Sequence, residues 1–101
     1  MTYCMLSLDL KDADTVQRAD FNERLGRESW VKLPGVDTVW QKEFGSLIKE
    51  PSIRLSIAVD LEDAAGVSRI KVITSAVQIG DSKAITGKTI KVVGDYVTTF
   101  E

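Results

Sequence analysis

The chain has 101 residues, of which 44% are hydrophobic and 28% charged, a balance that suits one small globular domain rather than a disordered segment. Thirteen Lys and Arg against fifteen Asp and Glu leave a formal charge of −2, without the overall basic excess of a nonspecific nucleic-acid binder. The absence of histidine removes the commonest general base and zinc ligand, and the lone Cys4 excludes an internal disulfide.

No apolar run approaches the ~18 residues of a membrane span, and no basic region followed by an apolar run and cleavage site opens the chain. A soluble cytoplasmic protein is expected.

Residues 3–10 alternate, with Cys4, Leu6, Leu8 and Leu10 on one face and Tyr3, Met5, Ser7 and Asp9 on the other, the period of a half-buried strand. Cys4 then reads as a small buried hydrophobe. Asp12 and Asp14 start a helix that runs to Leu25 and ends at Gly26, with Phe21 and Leu25 on its apolar stripe and Val16 pointing elsewhere.

Residues 28–33 and 36–44 flank Pro34 and Gly35, which favour a tight turn and predict a hairpin. A two-residue loop would set Lys32 opposite Asp37 and Trp30 opposite Val39, placing Trp30 and Trp40 on opposite faces.

Residues 51–66 carry two competing periods. Ile53, Leu55, Ile57, Val59 and Leu61 alternate like a strand, whereas Ile53, Ile57, Leu61, Ala64 and Ala65 form a helical stripe between Pro51 and Gly66. Asp60, Glu62 and Asp63 disfavour a strand, so a helix is the reading adopted.

Beyond Val67 the chain is rich in Ile, Val and Thr, and Gly80, Gly87 and Gly94 recur every seven residues, each followed by a polar residue. Short β segments with glycine turns follow, some of them able to join into a longer strand. The order βαββαβ is that of the ferredoxin-like split βαβ fold, an α+β class, here with an extra C-terminal β meander. The predicted core includes Leu6, Leu8, Trp30 and Ile57. Helices on one sheet face leave Tyr3, Met5 and one tryptophan on the other, a surface expected to be covered by the tail or by a second copy in a homodimer.

Three groups carry candidate chemistry. Asp9, Asp12 and Asp14 offer oxygen ligands for a hard cation, although Asp12 and Asp14 are also what a helix start requires. A calcium loop beginning at Asp12 fails, because Val16 and Gln17 stand where a ligand and a glycine belong. Gly87, Lys88 and Thr89 imitate the end of a phosphate loop, but Ser82 replaces its leading glycine and a β-type run follows. Arg24, Arg27 and Lys32, together with Trp30 and Trp40, are the candidate binding residues, a set suited to stacking a base or holding a phosphate, with Glu23 and Glu28 offsetting the charge.

The strand ending in Ser7, Leu8 and Asp9, the helix after it and the hairpin bearing Trp30, Leu33, Pro34 and Trp40 resemble the small ferredoxin-like proteins of the Cas2 and VapD type. That resemblance covers the first half of the chain and implies a metal-dependent nuclease in which Asp9 is both catalytic residue and Mg²⁺ ligand. The chain departs from the pattern in Leu8, where an aromatic residue often precedes the aspartate, in its acidic charge and in its all-β tail.

The leading expectation is a non-catalytic protein-interaction domain without cofactor, a small regulator, accessory factor or mobile-element (phage-type) inhibitor of a host protein. The alternative is the Mg²⁺-dependent endonuclease acting on nucleic acid through Asp9. A third possibility is an acidic surface that competes with nucleic acid for a host protein.

Overall fold

The computed structural model describes residues 2–33, 38–80 and 85–100. The elements run β1 (Thr2–Leu10), α1 (Thr15–Arg27), β2 (Val31–Lys32), β3 (Val39–Phe44), α2 (Glu50–Ser68), β4 (Val72–Ile79), β5 (Ile85–Val92) and β6 (Asp95–Phe100). The six strands form one antiparallel sheet in the order β2-β3-β1-β4-β5-β6. Among the described residues, no helix is long and apolar enough to cross a membrane.

β1 occupies the middle of the sheet and follows its alternation strictly, burying Cys4, Leu6, Leu8 and Leu10. The same parity continues in β4, where Ile73, Ser75, Val77 and Ile79 are buried. These side chains meet Phe21 and Leu25 of α1 and Ile53, Ile57 and Leu61 of α2 in one cluster, so both helices pack on the same sheet face. Leu6, Leu8, Trp30 and Ile57 all belong to that core, as their patterns predict.

α1 begins at Asp14, whose Oδ1 accepts the Gln17 N–H at 2.7 Å while the Gln17 side chain accepts the Asp14 N–H at 3.0 Å. This reciprocal pair satisfies two groups that a helix start leaves open. Gly26 does not end the helix; it lies within the last turn, and Glu28 is the cap. Helix α2 confirms the 3.6-residue period over the alternating one, with Pro51 in its first turn, where a missing N–H is harmless. Gly66 is likewise interior, and Arg69, at φ 62°, ends the helix by donating its N–H to Ala65 O at 2.8 Å.

The first hairpin departs from expectation in register. Lys32 faces Trp40 and Val31 faces Gln41, so β3 is displaced by three residues from the tight-turn alignment. The expected turn at Pro34 and Gly35, and with it Asp37, lies outside the described residues. An odd displacement exchanges faces. Trp30 and Trp40 therefore lie on the same, helix-covered side, both buried, instead of on opposite sides.

In the C-terminal part, residues 72–79 form one continuous strand. Gly87 is inside β5, opposite Ser75, and makes no turn. Val93 and Gly94, both at positive φ, form the two-residue loop between β5 and β6, one position earlier than the expected Gly94 and Asp95. Positive φ at both central positions is the signature of the mirror-image turn that suits twisted hairpins. The expected turn at Gly80 and Asp81 extends beyond the described residues. The tail thus lengthens its own sheet; it does not fold over the face opposite the helices.

Candidate functional site

The structure separates the residues that the sequence groups together. Trp30 and Trp40 are only 3% and 6% exposed, so little of either ring is open at the surface. Trp30 Nε1 donates to Asp60 at 2.9 Å, and Lys42 Nζ reaches the same carboxylate oxygen at 3.1 Å. Lys42 also lies over the rings of Trp30 and Phe44, 5.7 and 5.3 Å from their centroids. Asp60 is buried on α2 with two donors, and the cation beside it is flanked by two aromatic faces. Such an arrangement meets the demand that a buried charge be paired and hydrogen-bonded, and it ties α2 to the β2–β3 end of the sheet.

Arg24 and Arg27 are occupied on the helix surface. Arg24 binds Glu28 one turn on and reaches Asp63 of α2 at 3.5 Å, while Arg27 binds Glu23. The hydrogen bond from Arg24 holds the Glu28 carboxyl below its usual range, a direction reinforced by the charges of Arg24 and Lys42. Both arginines fall in the last turn, where cations favour the helix dipole.

Lys32 extends over the Trp40 ring, 5.4 Å from its centroid, at the side of a cleft of about 340 Å³ shared with Arg18 and Asn22 of α1. Arg18 directs its guanidinium to the carbonyls of Ala13 and Leu10, at 3.2 and 3.5 Å. Of the expected binding set, Lys32 and Trp40 line this cleft together.

Asp9 is exposed on the side of β1 away from the helices, opposite Thr74 of β4. Asp12 is at the turn after β1 with φ 55°, and Asp14 is committed to the helix cap. Among the described residues, no group of three Asp, Glu, Cys or His side chains is arranged so that it could hold a metal ion. Asp9 thus stands as a single exposed carboxylate, and any Mg²⁺ held there would keep most of its shell as water or share a second chain's Asp9.

Among the described residues, no helix or strand covers the outer face of the sheet. By alternation it carries Tyr3, Met5 and Asp9 of β1, Val31 of β2, Val72 and Thr74 of β4, Lys88 and Ile90 of β5 and Val97 of β6. Tyr3 is 48%, Met5 42% and Val97 46% exposed. Across the strands, Val72, Ile90 and Val97 form one apolar row, and Asp9, Thr74, Lys88 and Thr99 form the next, polar row. A strand spacing of about 4.8 Å sets Asp9 and Lys88 about 10 Å apart on either side of β4.

Comparison with protein-family models, with curated proteins and with solved structures finds no match to this chain, so its functional reading rests on this geometry.

Proposed function

We propose that the protein is a non-catalytic interaction domain, a small regulator, accessory factor or phage-type inhibitor that binds another protein, and that it works as a homodimer joined through the outer sheet face. The observation that supports this reading is the apolar content of that face. Monomers scatter exposed apolar side chains singly, whereas here the same face carries Tyr3 and Met5 at one end and the row Val72, Ile90 and Val97 at the other, with the polar row Asp9, Thr74 and Lys88 between them.

The charge pattern favours a second copy over an unrelated partner. A twofold axis running along β4 in the interface plane lays β1 of one chain over β5 of the other. Asp9 then meets Lys88 of its partner twice, and Thr74 meets its own copy. A self-complementary patch of this kind is what a twofold interface demands. We also propose that the order β2-β3-β1-β4 is the ferredoxin-like arrangement, extended by two strands at the β4 edge.

Light scattering at micromolar concentration tests the dimer. The expected mass is twice the 11.1 kDa of one chain, falling to one chain in Met5→Lys/Val97→Lys. A single-chain mass for the unmodified protein overturns it.

A further inference from the structure

On the helix side of the sheet, away from the proposed dimer face, the fold brings Lys91 beside Arg69 and Lys71, about twenty residues earlier in the chain. Lys71 precedes β4 and Lys91 belongs to β5, and the Lys91 N–H donates to Lys71 O at 2.9 Å, so the two lysines stand directly opposite each other. Both lie two positions from buried helix-side residues, Ile73 and Thr89, and share their side of the sheet. Like charges in this relation oppose folding. Arg69 joins them at the end of α2, in the left-handed backbone region where glycine is the usual occupant. Its carbonyl is held by the Gln17 side-chain amide at 3.2 Å, which fixes where the arginine leaves the backbone.

These three cations line an open cleft of about 690 Å³, with Tyr96 of β6 beside Lys91. Three acids share that cleft and equal the cations in formal charge, but each is held by a donor other than Arg69, Lys71 and Lys91. Glu62 accepts the Thr98 N–H at 3.0 Å, Asp63 takes Arg24 at 3.5 Å, and Asp95 accepts the Tyr96 N–H at 2.9 Å. Among the described residues, the side chains of Arg69, Lys71 and Lys91 make no ion pair or hydrogen bond. The Tyr96 hydroxyl, raised further above its ordinary 10.0 by partial burial, is a donor at neutral pH.

We infer that this cleft is a binding site for a small phosphate-bearing anion of the diphosphate class, held by Arg69, Lys71 and Lys91 with Tyr96 at its side. The planar guanidinium suits two phosphate oxygens at once, while the paired ammonium groups supply point charges to a second phosphate. A bound anion converts the repulsion between Lys71 and Lys91 into a shared attraction. This reading is independent of the dimer face.

Titration calorimetry with inorganic diphosphate tests it. One site per chain is expected, weakened about tenfold or more in Lys71→Gln/Lys91→Gln, the loss that follows from removing charge-assisted hydrogen bonds. Lys49→Gln, at an exposed cation outside the cleft, should bind as the unmodified protein does, and Lys91→Arg should retain binding. Amide shifts in the unmodified protein should centre on Lys71, Lys91 and Tyr96, a readout that does not depend on how any variant folds. Absence of binding, unchanged affinity in the double variant, or shifts centred elsewhere overturn the proposal. A short single-stranded oligonucleotide binding more tightly than diphosphate overturns the assignment to a small ligand.

Discussion

Trp30 and Asp60, thirty residues apart, meet through one hydrogen bond of 2.9 Å that joins the strand side of the core to α2. Lys42 completes the group at 3.1 Å, with its side chain 16% exposed. Removing one member leaves the others without their partner in a place water barely reaches. Asp60→Ala is expected to lower stability by about 3 kcal/mol, the low end for breaking a buried pair because Lys42 keeps some solvent. Trp30→Phe, which loses one hydrogen bond to a charged acceptor, should cost about 1.5–3 kcal/mol. Urea denaturation measures both, and a loss below about 0.5 kcal/mol for Asp60→Ala would show that the group contributes no more than a surface residue.

Gly87 is required by close packing. A Cβ there would come within 2.6 Å of Ser75 Oγ and 2.8 Å of the Phe100 ring. Gly87→Ala is expected to cost about 1–3 kcal/mol, the range of overpacked cores. Ser75 Oγ is buried with no hydrogen-bond partner among the described residues, so Ser75→Ala should leave stability unchanged or raise it. Thermal melts of the two variants should move in these different directions; a stabilised Gly87→Ala would contradict the contact.

Burial pushes the Cys4 thiol from an ordinary 9.0 up to about 12, although the charge of Lys42, its neighbour across β3, acts the other way. The thiol that is raised in the folded chain stays protonated there while the unfolded chain ionises. Its contribution to stability is therefore intact below pH 9 and declines as pH rises from 9 towards 12, by at most about 1.4 kcal/mol per pH unit. Comparing the unmodified protein with Cys4→Ala in denaturant across that range isolates the effect. At pH 8 a thiol reagent should label Cys4 only as fast as the molecule unfolds, and labelling that is faster than unfolding would place the thiol at the surface.

For Asp9 the expected outcome is that purified protein with Mg²⁺ leaves RNA and DNA intact. Cleavage that needs Mg²⁺, stops in chelator and is lost in Asp9→Asn would install the nuclease reading in place of the interaction domain. The substitution keeps the side-chain shape, so the comparison reads charge and ligation alone.

Much of the architecture was legible because local patterns and tertiary burial agree. β1 alternates cleanly, and α2 was separated from a strand by its acidic residues and Pro51. The hairpin register was not legible: Pro34 and Gly35 suggest a two-residue loop, whereas the observed pairing is displaced by three residues, which moves Trp40 from the outside to the core. Glycine was the other source of error, because Gly26 and Gly66 lie inside helices and Gly87 serves a close approach, roles that spacing does not distinguish from a turn. Of the candidate site, the outer face was partly visible in Tyr3, Met5 and Asp9. Arg69, Lys71 and Lys91 escaped notice because only the pairing of β4 with β5 brings positions 71 and 91 together.

The position of β1 between β3 and β4 has a kinetic corollary. Its last register partner, Ile79 opposite Cys4, is separated from it by most of the chain. On synthesis, the apolar edge of β1 must wait until β4 has emerged, and closing that long loop carries an entropic cost that the local β5–β6 hairpin avoids. The hairpin can form within microseconds of its two-residue loop being made, whereas the sheet centre assembles only by a nonlocal encounter. Backbone amides of β1, bonded on both sides once that encounter has occurred, are accordingly those whose hydrogen exchange should report opening of the entire molecule.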